Sequence, residues 1–209
     1  MKMFLRKFWL FSCVYAPARD FYYWFRNGFT GNSPDLVKRR VLFRHATHNA
    51  TFVETGTFLG DTSAFLASFS ANLFTIEPEE KLHKMANHRF RDASKIETLK
   101  GTSEEIFPEL LPTLSGDISF WLDGHYSGGI TFKGDSECPV ELELEQIEKN
   151  LERFNKVSVL IDDVRCFPLF QTSANNKSDY PPLDTLVDWS RRNKFSWQIE
   201  HDIFIAKNY

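Results

Sequence analysis

Apolar and polar positions along this chain switch between two rhythms. Short apolar runs suited to strands alternate with longer stretches of helical spacing. Thr51-Phe52-Val53-Glu54 reads as a strand, followed by a turn bearing Gly56 and Gly60. Thr62 to Phe69 reads as a helix, Leu73 to Ile76 as a strand ending in Glu77-Pro78, and Lys81 to Phe90 as a helix. Ile96 to Leu99, Ile118 to Leu122 and Val157 to Ile161 are further strands, separated by helices over Glu104 to Leu111 and Pro139 to Phe154. In the last of these helices Pro139 suits the first turn, and Leu142, Ile147, Leu151 and Phe154 make an apolar stripe. A helix over Leu183 to Arg192 precedes two short closing strands, Trp197 to Ile199 and Ile203 to Ala206.

Strands alternating with helices predict an α/β fold, a doubly wound and mostly parallel seven-stranded sheet with helices on both faces. Upstream, Asn32-Ser33-Pro34 is a breaker, and Ser33 or Asp35 is placed to cap a helix running to about Phe43. This divides the chain into a helical N-terminal arm, 1–45, and a sheet domain, 46–209. The 209 residues suffice for one domain with a buried core. The polar stretch Gln171 to Pro182 is expected to be a mobile loop beside the site or a family-variable insertion.

Charge changes this picture at one end. The net charge is -3, which argues against a strongly basic nucleic-acid binder. Residues 1–50 nevertheless carry nine Lys/Arg against two Asp/Glu, a surplus of +7, and the remainder carries sixteen against twenty-six, or -10. Residues 1–31 hold eleven aromatics and five basic residues. The apolar stretch from Phe8 to Tyr15 is too short to span a bilayer, which needs about 20 residues. Three arrangements suit the arm: helices packed on the domain, an element lying on a membrane surface, or a signal peptide ending at Ala16-Pro17-Ala18. The scattered Cys13, Cys138 and Cys166 make neither a metal finger nor a disulfide framework, and fit a reducing, cytoplasmic setting. Cys166 has no histidine paired with it by motif and reads as a buried thiol, and the run Glu141, Glu143, Glu145, Glu148 as a solvated helix face.

In an open parallel sheet, ligands bind beyond the carboxyl ends of the strands. The first strand ends in Glu54-Thr55-Gly56-Thr57, with Gly60, Asp61 and Thr62 after it. The second ends in Glu77; Gly101, Thr102 and Ser103 follow the third, Asp123, Gly124, His125 and Tyr126 the fourth, and Asp162 and Asp163 the fifth. The first turn lacks a full Gly-x-Gly-x-x-Gly, and the carboxylate of Glu54 would repel a pyrophosphate. It suits a cationic ligand, such as the amino-acid end of S-adenosylmethionine, while Glu77 suits a ribose diol.

Val-Glu-Thr-Gly-Thr-Phe-Leu-Gly-Asp-Thr at 53–62, followed by Thr-Ile-Glu-Pro at 75–78, resembles the cofactor half of class I S-adenosylmethionine-dependent methyltransferases. Leu-Asp-Gly-His-Tyr-Ser-Gly-Gly at 122–129 and Leu-Ile-Asp-Asp at 160–163 resemble the metal-dependent branch typified by macrocin O-methyltransferase, which methylates sugar hydroxyls. The resemblance covers roughly residues 50–206 and departs from the family at Val164, where the family has an aromatic residue, and in the loop after Asp123-Gly124. It implies a Rossmann-like methyltransferase fold binding S-adenosylmethionine through Glu54, Thr55, Gly56, Thr57, Gly60, Asp61, Thr62, Glu77, Thr102, Ser103 and Asp123.

Neighbouring fourth and fifth strands would bring Asp123, Asp162 and Asp163 to a common point, where their repulsion calls for a cation. An all-oxygen set favours Mg²⁺ or another hard divalent ion. In the alternative, Asp162 or Asp163 caps the following turn and Asp123 bonds backbone amides. His125 is the candidate general base, with Asp123 in reserve, and Tyr126 with Ser127-Gly128-Gly129 shapes the acceptor pocket or a lid. His201 and Asp202 either line the acceptor side or are structural. The expected activity is O-methylation of a small-molecule or glycan acceptor, without nucleic acid, and with peripheral membrane contact through residues 1–31 as an option. Two other readings compete: a membrane-attached scaffold that has lost catalysis, and a metal-dependent nucleotide-sugar transferase.

Overall fold

The computed structural model describes residues 16–124, 138–169 and 180–209. In chain order the helices are α1 (Ala16–Arg26), α2 (Asp35–His45), α3 (Asp61–Ala67), α4 (Glu80–Phe90), α5 (Ser103–Leu110), α6 (Val140–Asn150) and α7 (Leu183–Arg192). The strands are β1 (Thr51–Thr55), β2 (Asn72–Glu77), β3 (Ile96–Lys100), β4 (Gly116–Leu122), β5 (Phe154–Ile161), β6 (Ser196–Glu200) and β7 (Ile203–Lys207). They form one sheet in the order β3-β2-β1-β4-β5-β7-β6. The first five are mutually parallel, and β7 runs antiparallel to both β5 and β6. The doubly wound, seven-stranded sheet expected from the alternation is the observed one.

Two cores lie on opposite faces of this sheet because successive strand residues point to opposite sides. Val53, Phe120, Leu122, Val159 and Ile161 pack with Phe107 of α5, Leu144 and Ile147 of α6, and Leu186 and Trp189 of α7. The alternate residues Phe52, Leu73, Trp121, Leu160 and Ile205 pack with Val41 and Leu42 of α2 and Leu66 of α3. The boundary expected at residue 45 therefore falls inside this packing: α2 belongs to the body of the domain. Its start also differs from expectation. Pro34 is the N-cap residue and the helix opens at Asp35, while the Ser33 hydroxyl donates to the His201 carbonyl at 2.8 Å.

The helix expected over Pro139 to Phe154 is shorter. After α6 a 3-10 turn spans Leu151–Arg153, and Phe154 opens β5, with its ring near that of Phe120. The expected stripe is out of phase too. Val140, Glu143, Leu144 and Ile147 make the buried face, and Leu142 is exposed. Positions 140, 143, 144 and 147 share one side of a helix, whereas 142 does not. Glu143, taken as solvated, is consequently buried.

Candidate active site

Strand register lines up the predicted residues. Thr55 pairs with Ile76 and with Leu122, and Leu122 pairs with Ile161. The next row across four parallel strands is therefore Gly56, Glu77, Asp123 and Asp162. Backbone bonds continue into that row: Gly56 N–H donates to Ile76 at 3.0 Å, Asp123 N–H to Thr55 at 3.2 Å and Asp162 N–H to Leu122 at 3.1 Å.

The turn after β1 is built to sit close to β4. Gly56 has φ +86, and a Cβ there would lie 2.4 Å from the Asp123 carbonyl oxygen. Gly60, at φ +79, likewise leaves room for the Phe90 ring. Asp61 opens α3 and is ion-paired to Arg89 at 2.8 Å, with Thr62 partly buried behind it. The Thr57 and Thr75 hydroxyls bond each other at 2.6 Å beneath the turn, and the Thr55 hydroxyl accepts the Asp123 N–H at 3.2 Å.

Glu54 and Glu77 lie on one face of the sheet, in phase with Thr75 between them. Glu54 is fully buried. One carboxylate oxygen accepts hydroxyl bonds from Ser63 and, at 2.7 Å, from Thr75, while Oε1 has no partner among the described residues. Burial pushes its pKa up to about 7 against the pull of those two hydroxyls. The Glu77 oxygens accept backbone N–H bonds from Phe58 at 2.8 Å and Glu79 at 3.0 Å. Burial still raises its pKa, and the two amides offset part of that rise. At the third strand end, Thr102 caps α5 in a reciprocal pair with Glu105, and Ser103 is buried in the first helical turn.

Asp123, Asp162 and Asp163 do come together, around a protein cation. Lys38 of α2 forms an ion pair with Asp162 and another, at 3.6 Å, with Asp163. Burial alone would lower the Lys38 pKa, but attraction from Asp162, Asp123 and Asp163 outweighs it and raises the net value. Desolvation drives the Asp123 pKa upward, and repulsion from Asp162 adds to it while Lys38 opposes both. Arg165 closes the other side through Asp163, at 2.8 Å, and Asp202. Oxygens of Asp162, Asp163 and Asp202 lie within 4.8 Å of one another, but each of these carboxylates is already ion-paired to Lys38 or Arg165. The donor set as arranged does not fit a divalent ion, because a hard cation would have to displace a partly buried ammonium from its carboxylate.

Sequence reasoning missed three charged residues here. Lys38 and Arg165 carry no local motif, and Glu143 was hidden by an acidic run. Glu143 is buried beside Thr55 and Ser103, and side-chain hydrogen bonds from both only partly offset the cost of burying its carboxylate. Burial pushes its pKa up to about 7. A carboxyl whose pKa is raised by folding stabilises the fold below its unfolded value of 4.5, and that contribution is lost as pH rises toward 7. Glu143→Gln is therefore expected to flatten the fall in stability across that window by about 3 kcal/mol, read from urea midpoints at successive pH values. An unchanged slope would assign the titration elsewhere.

His125, Tyr126 and Ser127-Gly128-Gly129 lie outside the described residues, as does most of the stretch from Gln171. The Cys166 thiol is partly buried and its pKa is raised, chiefly by desolvation, so it is no ready nucleophile. His201 packs edge-on against Trp24 at 5.2 Å, and Asp202 holds Arg165, which gives both structural contacts.

The strand order is that of a Rossmann-like methyltransferase fold, the fold of class I S-adenosylmethionine-dependent methyltransferases. Solved structures of that class superpose on this chain. The 23S rRNA methyltransferase ErmE matches with a TM-score of 0.52 at 11% identity, over 85% of this chain and 68% of its own. A Clostridium thermocellum protein assigned as an rRNA methylase gives 0.51 at 13% identity, over 85% and 97%. A Streptococcus mutans protein assigned as a methyltransferase, solved with S-adenosylhomocysteine, gives 0.50 at 12% identity, over 85% and 98%. No family model matches the chain, and no curated protein matches it in sequence.

Proposed function

We propose that this chain is an S-adenosylmethionine-dependent O-methyltransferase acting on a hydroxyl of a sugar, a glycan precursor or a related small molecule. The carrying observation is the row Gly56, Glu77, Asp123, Asp162 at the carboxyl rim of a methyltransferase sheet. The residues fit the cofactor in two respects. The buried Oε1 of Glu54, without a hydrogen-bond partner among the described residues, suits a cationic amine. Each Glu77 oxygen keeps a second lone pair beyond its amide bond, which suits the two ribose hydroxyls.

When bound, S-adenosylmethionine supplies an electrophilic methyl group. The chain's part is to hold the acceptor oxygen in line with that methyl, from which most of the acceleration follows. The acceptor proton passes to His125 or to Asp123, whose proton affinity is raised by burial and by the neighbouring Asp162. The divalent ion expected from the sequence has no part in this reading, since Asp162 and Asp163 are already ion-paired to Lys38 and Arg165. A nucleotide-sugar transferase would need those carboxylates free for a metal-diphosphate, which disfavours it. Two of the superposed proteins are named as rRNA methylases, but a body carrying -10 beyond residue 50 repels a polyanionic acceptor.

Calorimetry with S-adenosylhomocysteine is expected to give stoichiometric binding heat, equal with and without EDTA. Labelled-methyl transfer to pooled saccharide acceptors is expected to persist in EDTA. Absence of binding heat would favour the scaffold reading. Transfer abolished by EDTA would overturn the role given to Lys38 while leaving the cofactor in place.

A further inference from the structure

Helix α1 turns most of its aromatic side chains away from the protein. Phe21, Tyr22, Tyr23 and Phe25, with Phe29 just beyond the helix, are all between 47% and 58% exposed. Phe21 and Phe25 are one helical turn apart and share a face. The helix is nevertheless docked to the body. Trp24 is 5% exposed, with its ring edge-on to Phe29 at 4.9 Å and to His201 at 5.2 Å. The Ser33 bond to the His201 carbonyl ties the following segment to the same turn. One aromatic ring therefore anchors α1, and the others are held outward on a fixed support.

Charge says what this face meets. Arg26 is exposed in the last turn of α1. The fifteen residues before the helix contain Lys2, Arg6 and Lys7, no acidic residue, and Phe4, Phe8, Trp9, Phe11 and Tyr15. The +7 of residues 1–50 against the -10 of the rest makes this end the one drawn to an anionic surface. Aromatic rings at headgroup depth, with Arg and Lys beside lipid phosphates, is the chemistry of an element lying in a bilayer interface. No helix among the described residues is long and apolar enough to cross a membrane.

We propose that α1 seats the protein on the surface of an anionic phospholipid bilayer. The rings of Phe21, Tyr22, Phe25 and Phe29 enter the interface, and the helix lies in its plane. The inference rests on the exposed rings of α1 and on charge, not on the residues of the carboxyl rim, so it stands whether or not the methyltransferase reading does.

Vesicle co-sedimentation of the full-length protein tests it. Binding is expected to phosphatidylcholine vesicles containing about a third phosphatidylglycerol, to be weak on pure phosphatidylcholine, and to fall in about 0.5 M salt. The triple variant Phe21→Ser/Phe25→Ser/Phe29→Ser should lose about tenfold in partitioning, and Arg26→Glu should weaken binding to the anionic vesicles alone. These are exposed positions, and unchanged near-ultraviolet circular dichroism and urea midpoints in the variants would show that the fold is intact. Equal sedimentation of wild type and triple variant overturns the proposal. So does a wild-type protein that ignores lipid but forms a dimer dispersed by the triple variant, which would give the face to a second copy of the chain.

Discussion

Lys38→Met is expected to destabilise the protein by about 3–5 kcal/mol, seen as a lower urea midpoint with an unchanged slope. Asp162 is 1% exposed and its Oδ1 has no hydrogen-bond partner among the described residues, so removing the ammonium leaves a buried carboxylate with little to balance it. Asp123 and Asp163 add repulsion that Lys38 now offsets. The double variant Lys38→Met/Asp162→Asn should recover most of the loss, because it removes both charges rather than stranding one. If the single variant keeps the wild-type midpoint, the ion pair contributes nothing and the carboxylates are free for another cation.

Gly56→Ala should abolish measurable binding of S-adenosylhomocysteine and cost more than about 1 kcal/mol of stability. Two effects combine. The backbone there has φ +86, which alanine adopts only with strain, and the new Cβ would meet the Asp123 carbonyl at 2.4 Å. That neighbour is backbone and has no rotamer through which to withdraw. Relief requires the turn to part from β4, and this would disrupt the row in which Gly56, Glu77, Asp123 and Asp162 stand together. Calorimetry and urea unfolding read the two effects separately. Normal affinity in a destabilised Gly56→Ala protein would mean that the ligand does not depend on this turn.

Much of the arrangement was legible because it rests on backbone periodicity. Strands with period two, helices between them and polar residues at strand ends were enough to foresee the sheet. Phase along β1 and β2 puts Glu54 and Glu77 on one face. The same logic failed where an element's end or phase depended on a distant surface. Phe154 was assigned to a helix because it continued an apolar spacing, yet it pairs with Gly116 and opens β5. Leu142 and Glu143 exchanged their expected environments because α6 is rotated to seat Val140, Leu144 and Ile147 against the sheet. Neighbouring glutamates made Glu143 look like part of a solvated run, and nothing local distinguishes it from them.

The amino-acid order by itself determined which residues would reach the carboxyl rim, since strand periodicity and strand ends are properties of short segments. Only the tertiary structure decided how their charge is balanced. Lys38 and Asp162 are 124 residues apart and meet because α2 packs across the sheet, bringing an ammonium over the end of β5. Pairing of that kind depends on the approach of whole elements. Hydrophobic burial sets that approach, and no local pattern around Lys38 or Asp162 records it.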